Sequence, residues 1–121
     1  MKTITISVLW VPPKEVRGNS RAHWRTKHKK NQLLKLSGLE QALISGETFQ
    51  KARITYTWFK AGVGDVNNFA IGMKGFEDGL VEGNMFKDDD SKYLVQGEHG
   101  FQKVKRGEEK TVIVIEELET P

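Results

Sequence analysis

The spacing of apolar residues limits the fold of this 121-residue chain more than any other sequence feature. Alternating apolar residues are typical of strands, and apolar residues three or four positions apart are typical of helices. These patterns predict strands at residues 3–10, 51–60, 92–96, 101–105 and 111–116, and helices at about 23–44 and 68–82. The order of these elements predicts one α+β domain over residues 1–121, with a mixed β-sheet and two helices.

The same spacing predicts which side chains form the core. The expected buried residues of the first two strands are Ile4, Ile6, Val8 and Trp10, then Ile54, Tyr56 and Trp58. Those of the two helices are Leu33, Leu36, Leu39, Ala42 and Leu43, then Phe69, Met73, Phe76 and Leu80. Gly46 and Gly83 are expected to end the helices, and Asp65 or Asn67 to cap the start of the second helix.

Several classes of protein are excluded or disfavoured by what the sequence lacks. The chain has no cysteine, which excludes a disulfide framework, a cysteine-based zinc site and a thiol nucleophile. It has only three histidines, and neither a Walker loop nor a G-x-G-x-x-G motif is present. No apolar run approaches the roughly 20 residues that cross a bilayer, and the N-terminus lacks the apolar region of a signal peptide. We therefore expect a cytoplasmic protein without a membrane segment.

Charge is distributed unevenly although the formal net charge is only +3. Residues 14–35 contain eight basic residues and one acid, a net charge of +7, whereas residues 77–98 contain seven acids and two lysines, a net charge of −5. Unpaired cations near a helix N-terminus oppose the helix dipole, so the basic segment favours a polyanionic partner over a plain solvated surface. The candidate DNA-binding residues are Arg17, Arg21, Arg25, Lys27, Lys29 and Lys30.

Oxygen-bearing side chains lie in two clusters, one before the second predicted helix and one after it. Asp65, Asn67 and Asn68 form the first, and residues 88–90, all aspartates, form the second. Hard ions such as Mg²⁺ take one or two carboxylates plus water and phosphate, and Lys74 lies between the clusters as a candidate phosphate contact. Helix capping, a solvated turn and an ordinary i, i+4 pair of Lys74 with Asp78 explain the same residues without any catalytic role.

Taken in order, these residues resemble the signature of the RusA-type Holliday junction resolvases. That family, common in phages and prophages, reads D-x-D-N, a spacer, K-x-x-x-D-x-L and, about ten residues later, D-D. Here the corresponding residues are Asp65, Asn67 and Asn68, then Lys74, Asp78 and Leu80, then Asp88 and Asp89. The opening strand, Pro12 with Pro13, and the loop at residues 19–24 are also similar to the start of that family.

The resemblance implies a RusA-like fold and a homodimeric endodeoxyribonuclease of bacterial or phage-infected cells. Such an enzyme would bind four-way junctions and other branched DNA and resolve them by paired nicks with Mg²⁺, or Mn²⁺ as an alternative. Lys74 would be the catalytic lysine. The other site residues that the resemblance implies are the metal-binding carboxylate Asp65, Asn67 at the second metal position, and Asp89 of the acidic pair with Asp88 beside it.

Position 67 departs from the pattern, because the family has an aspartate where this chain has Asn67. An amide keeps an oxygen of similar shape but lacks the negative charge. The sequence leaves open a weakened active site, a natural binder without cleavage, and an engineered inactive form. It also leaves open three functions: a junction-resolving nuclease, an inactive branched-DNA-binding module on the same scaffold, and a small interaction protein whose acidic loop binds a basic partner.

Overall fold

The computed structural model describes residues 1–119, and it confirms an α+β domain built on one mixed sheet. The elements are β1 (Thr3–Val8), α1 (Trp24–Ser45), β2 (Ala52–Lys60), α2 (Val66–Gly72), α3 (Lys74–Glu82), β3 (Leu94–Gln96), β4 (Gly100–Lys103) and β5 (Lys110–Glu117). A short 3₁₀ turn, Lys14–Val16, follows the prolines. No helix within residues 1–119 is long and apolar enough to cross a membrane.

The sheet is antiparallel over β1, β5 and β2, whereas β3 and β4 both run parallel to β2 along its other edge. Ile54, Tyr56 and Trp58 of β2 are fully buried, which confirms the predicted face of that strand. The first strand ends at Val8, because its register with β5 ends where Val8 faces Thr111. Trp10 therefore lies beyond the strand, where its ring packs edge-on against Phe76 at 5.6 Å.

A side chain bridges the gap between β3 and β4. The backbone N–H of Gly97 donates to Ile54 O at 2.8 Å, and β4 resumes the pairing at Gly100 opposite Thr57. In between, the backbone N–H of Tyr56 donates to Nδ1 of His99 at 3.0 Å. His99 thus takes the place of a strand carbonyl and satisfies a buried backbone group that would otherwise be unpaired.

The buried face of α1 differs from the predicted one. Leu34, Gly38 and Ala42 face the core, whereas the structure exposes three predicted core residues, Leu33, Leu36 and Leu43. The reason is the partner helix, because α3 and its C-cap residue present Gly75, Gly79 and Gly83 one turn apart. A Cβ atom on Gly38 would overlap the carbonyl of Phe76, so the two backbones approach too closely for leucines between them.

The second predicted helix is divided at Met73 into α2 and α3. Gly72 packs against Pro12 at the division, and glycine is a weak helix former. The predicted core residues Phe69, Met73, Phe76 and Leu80 are all buried. Gly46 ends α1 in the left-handed region as predicted, but at the end of α3 that conformation belongs to Asn84 and not to Gly83.

Candidate functional site

Two carboxylates from separate segments converge on one lysine. Lys74, the first residue of α3, places its Nζ 3.4 Å from Oδ1 of Asp78 on the same helix, and it also contacts Oδ2 of Asp89 from the loop after the helix. The Asp89 side chain is only 18% exposed, although Lys74 and Asp78 are open to solvent. The i, i+4 pair inferred from the sequence is therefore present, but it is part of a three-residue cluster.

The turn after α3 explains why only one of the three aspartates points inward. Asp88 accepts a hydrogen bond from the backbone N–H of Asp89 at 2.7 Å, and Asp90 accepts one from the N–H of Lys92 at 2.9 Å. Met85 and Phe86, which precede the turn, are buried and anchor it to the core. Asp88 and Asp90 thus stabilise the turn, and Asp89 carries the charge that reaches Lys74.

A cavity of about 470 Å³ opens beside Lys74. Its lining residues are Asn67, Ala70, Ile71, Lys74, Glu77, Gln96, Gly97 and His99. The structure therefore brings together Asn67 and Lys74, two of the predicted catalytic residues, on the wall of one cavity. A cavity of this size with a few polar groups among apolar ones is typical of a binding site.

Glu77, which no sequence motif pointed to, also lines this cavity and is 6% exposed. Its Oε2 accepts hydrogen bonds from the Tyr56 hydroxyl at 2.5 Å and from Nε2 of Gln96 at 3.0 Å. Oε1 of Gln96 lies 2.8 Å from Nε2 of His99. Because Nδ1 of His99 accepts from the Tyr56 backbone, Nε2 is the protonated nitrogen and donates to Gln96.

Burial perturbs the titration of all three ionisable members of this network. Burial raises the pKa of Glu77, and the hydrogen bonds from Tyr56 and Gln96 together with the charge of Lys74 oppose that rise. Burial, followed by the negative charge of Glu77, raises the pKa of Tyr56 well above its usual value. Burial lowers the pKa of His99. A glutamate on the apolar stripe of Met73, Phe76 and Leu80 is the sequence signal that could have revealed the network.

Asp65 lies on the other side of α2. Its Oδ1 caps that helix by accepting hydrogen bonds from the backbone N–H groups of Asn67 at 2.9 Å and Asn68 at 3.2 Å. It lines a separate cavity of about 360 Å³ with Arg17 and Asn68. The structure thus confirms the capping prediction and does not place Asp65 in the cavity that Lys74 lines.

The six basic residues predicted to bind DNA fall into two groups. Arg17 donates from Nε to the Pro12 carbonyl at 2.8 Å and stacks on Phe69, and burial lowers its pKa. Lys27 donates to the Ser20 carbonyl at 3.2 Å, so both residues hold the loop before α1. The side chains whose charge faces solvent or a shallow groove at the start of α1 are Arg21, Arg25, Lys29 and Lys30.

The carboxylates of the Lys74 cluster are also the candidate ligands for a divalent cation. No group of three or more Asp, Glu or His side chains gathers in a metal-binding arrangement within residues 1–119. However, Asp78 and Asp89 already hold one cation, the Lys74 ammonium, between them. Mg²⁺ commonly uses only one or two carboxylates, with water and phosphate completing its shell, so this donor set suits it.

Comparisons with known proteins do not assign a family. No family model matches the chain, and no curated protein matches it. Among solved structures, Escherichia coli HypE, a hydrogenase maturation protein, is similar with a TM-score of 0.37 and 12% identity. That alignment covers 98% of this chain and 32% of HypE, so the chain spans about a third of that structure. The RusA-type resemblance stays a prediction based on the motif.

Proposed function

We propose that this chain is a RusA-type, Mg²⁺-dependent endodeoxyribonuclease that resolves four-way DNA junctions by paired nicks. The observation that carries the proposal is the cluster in which Lys74 lies between Asp78 and Asp89, beside Asn67. These residues come from two helices and a loop, in the order that the family motif requires. A solvated turn alone would not direct the carboxylate of Asp89 toward a lysine of another element.

The charges of the cluster suit phosphodiester hydrolysis. Lys74 is exposed and would move from the two carboxylates to the scissile phosphate, where it would stabilise the negative charge that develops in the transition state. Asp89, with Asp78 or Asp65, would hold the divalent ion, and Asn67 would supply a neutral oxygen. When bound, that ion would supply Lewis-acid chemistry at the phosphate. Asp88 accepts the backbone N–H of Asp89, so it would hold Asp89 in position and would not itself bind the ion.

The exposed basic residues would hold the arms of the junction. Arg25 and Lys29 lie one turn apart on α1, with Arg21 in the preceding loop, so together they can contact successive phosphates of one strand. Each neutralised duplex phosphate should add about −0.9 to the slope of log affinity against log salt. Paired nicks need two active sites, so the proposed enzyme acts as a homodimer with an isologous interface.

The second candidate function is branched-DNA binding without cleavage. It is favoured by the amide at Asn67 and by the lack of a three-carboxylate group in residues 1–119. An amide at a metal position removes one of the charges that bind the ion and acidify its water. The same basic surface would serve this function, so DNA binding alone does not separate the two candidates.

A cleavage assay on a labelled synthetic four-way junction separates them. The chain and its Asn67→Asp variant would be compared in Mg²⁺ and in Mn²⁺, with Asp89→Asn added to Asn67→Asp as the control. We expect paired nicks that increase with Asn67→Asp and disappear with Asp89→Asn. Binding without nicking by Asn67→Asp would establish the second candidate, and no binding of any branched DNA at low salt would support a protein-interaction role.

A further inference from the structure

The cavity beside Lys74 is lined by apolar side chains and by a buried carboxylate, and neither is needed to bind a phosphate. We propose that it binds the base of the nucleotide whose phosphate Lys74 contacts, and that it prefers bases that carry an amino group. This inference rests on the proposed function, since it takes DNA as the ligand. Lys74 lines the cavity itself, so one nucleotide can place its phosphate at Nζ and its base inside.

The walls of the cavity suit a planar, largely apolar group. Ala70 and Ile71 of α2 line it, together with Gly97 and His99 from the segment between β3 and β4. Ile71 is 58% exposed, so it offers apolar surface on which a base could pack. Ile71 also lies against Gly18, which places the rim of the cavity beside the basic segment.

The inner end of the cavity is polar and built into the core. Glu77 is 6% exposed, and its Oε2 already accepts hydrogen bonds from Tyr56 and Gln96. A carboxylate has about four lone-pair sites, so acceptor capacity is left over. A ligand that reaches Glu77 must therefore donate. Adenine, cytosine and guanine carry an exocyclic amino group that can do so. Thymine can donate only from its ring N3–H, which lies between two carbonyl oxygens that a carboxylate repels.

Gln96 offers the base a second polar contact beside Glu77. Gln96 is exposed at the end of β3, and its amide is oriented by hydrogen bonds to Glu77 and His99. Its remaining N–H can donate to a ring nitrogen or a carbonyl of the base. An acceptor beside a donor on one wall is the arrangement by which side chains read base edges.

The test is a titration of the protein, observed by NMR, with the four deoxynucleoside 5′-monophosphates and with deoxyribose 5-phosphate as the base-free probe. We expect dAMP, dCMP and dGMP to bind at least about tenfold more tightly than deoxyribose 5-phosphate, because the base-free probe has no ring to bury in the cavity. We expect dTMP to bind about fivefold more weakly than the amino-bearing nucleotides. The signals of the Ile71 methyl groups and the Gln96 amide should shift.

Two variants locate the binding. Ile71→Ala should weaken nucleotide binding several-fold, whereas Ile44→Ala, which removes an apolar residue of similar exposure on α1, should not change it. Equal affinity for the base-free probe, or equal effects of the two variants, would overturn the inference. The titration requires no cleavage, so its failure is distinct from the failure of Asn67→Asp to nick a junction.

Discussion

The two cavities on either side of α2 use their charged residues differently. In the first, Asp65 caps the helix and Arg17 holds the Pro12 carbonyl, so both charges stabilise backbone. In the second, Lys74 binds two carboxylates and Glu77 binds two side-chain donors, so the charged groups are committed mainly to other side chains. A charged group that holds backbone is needed for the fold. Lys74, by contrast, is itself exposed and is held only by side chains, so its ammonium group can move to a ligand.

The largest expected effect is on the nicking rate, through Lys74 of the second cavity. In the Asn67→Asp background, Lys74→Met should lower the nicking rate at least about 100-fold, because it removes a cation aimed at the phosphate. Arg17→Met, on the other side of α2, should lower it less than about tenfold while reducing stability. Single-turnover kinetics on a four-way junction, with urea denaturation of both variants, would measure this. Equal losses of nicking rate in Lys74→Met and Arg17→Met would show that the two cavities do not differ in this way.

The next effect concerns stability at the inner end of the second cavity. Tyr56→Phe should lower the free energy of unfolding by about 1–3 kcal/mol, because buried Glu77 loses a donor that burial makes hard to replace. Tyr93→Phe is the matched control, since Tyr93 is only half-buried and lies far from Glu77 in the chain, with its ring against the Lys87 ammonium. Urea denaturation at neutral pH gives both values. An equal, small loss in the two variants would show that Glu77 is satisfied by water.

A smaller effect should appear as a pH dependence through His99. Its pKa is lowered in the fold, so below about pH 6.5 the unfolded chain binds more protons than the native one. The contribution of His99 to the free energy of unfolding is complete above about pH 6.5. It is lost as the pH falls toward the pKa that His99 has in the folded protein. Glu77, whose pKa is raised, has the opposite dependence, and its contribution is lost as the pH rises.

The variant His99→Asn isolates the histidine, because the amide oxygen can accept the Tyr56 N–H without titrating. Urea denaturation between about pH 5.5 and 7.5 should show a flatter profile for His99→Asn than for the parent chain. Parallel profiles would mean that protonated His99 is accommodated in the fold. Glu77 is present in both proteins and is linked to His99 only through Gln96, so its contribution is common to both to first order.

The smallest expected change in stability is that of Asp65→Asn, which tests the first cavity. Asparagine caps helices about as well as aspartate, so the free energy of unfolding should change by less than about 0.5 kcal/mol, whereas Asp65→Ala should cost about 1 kcal/mol. If Asp65 also binds the metal, Asp65→Asn should abolish nicking in the Asn67→Asp background despite the intact cap. Full activity of Asp65→Asn would limit Asp65 to its structural role.

Several parts of the candidate site could be predicted from the sequence because they depend on neighbours along the chain. The cap by Asp65 and the pair of Lys74 with Asp78 follow from spacings of two to four residues. Glu77 was missed although it shares the buried stripe of α3, since its donors, Tyr56 and Gln96, lie on two different strands. Among the three consecutive aspartates, only the packing of the turn selects Asp89.

For the fold as a whole, the sequence by itself determined the order of strands and helices, except for the division of the second helix at Met73. It also determined the buried face of β2 and the core of α2 and α3, because period and capping are local properties. Only the tertiary structure decided which face of α1 is buried. Leucine spacing favoured Leu33, Leu36 and Leu43, but Gly38 meets Gly79 from 41 positions away in the chain. Close backbone contact between two glycines excludes larger side chains, and no local pattern on α1 encodes the shape of its partner.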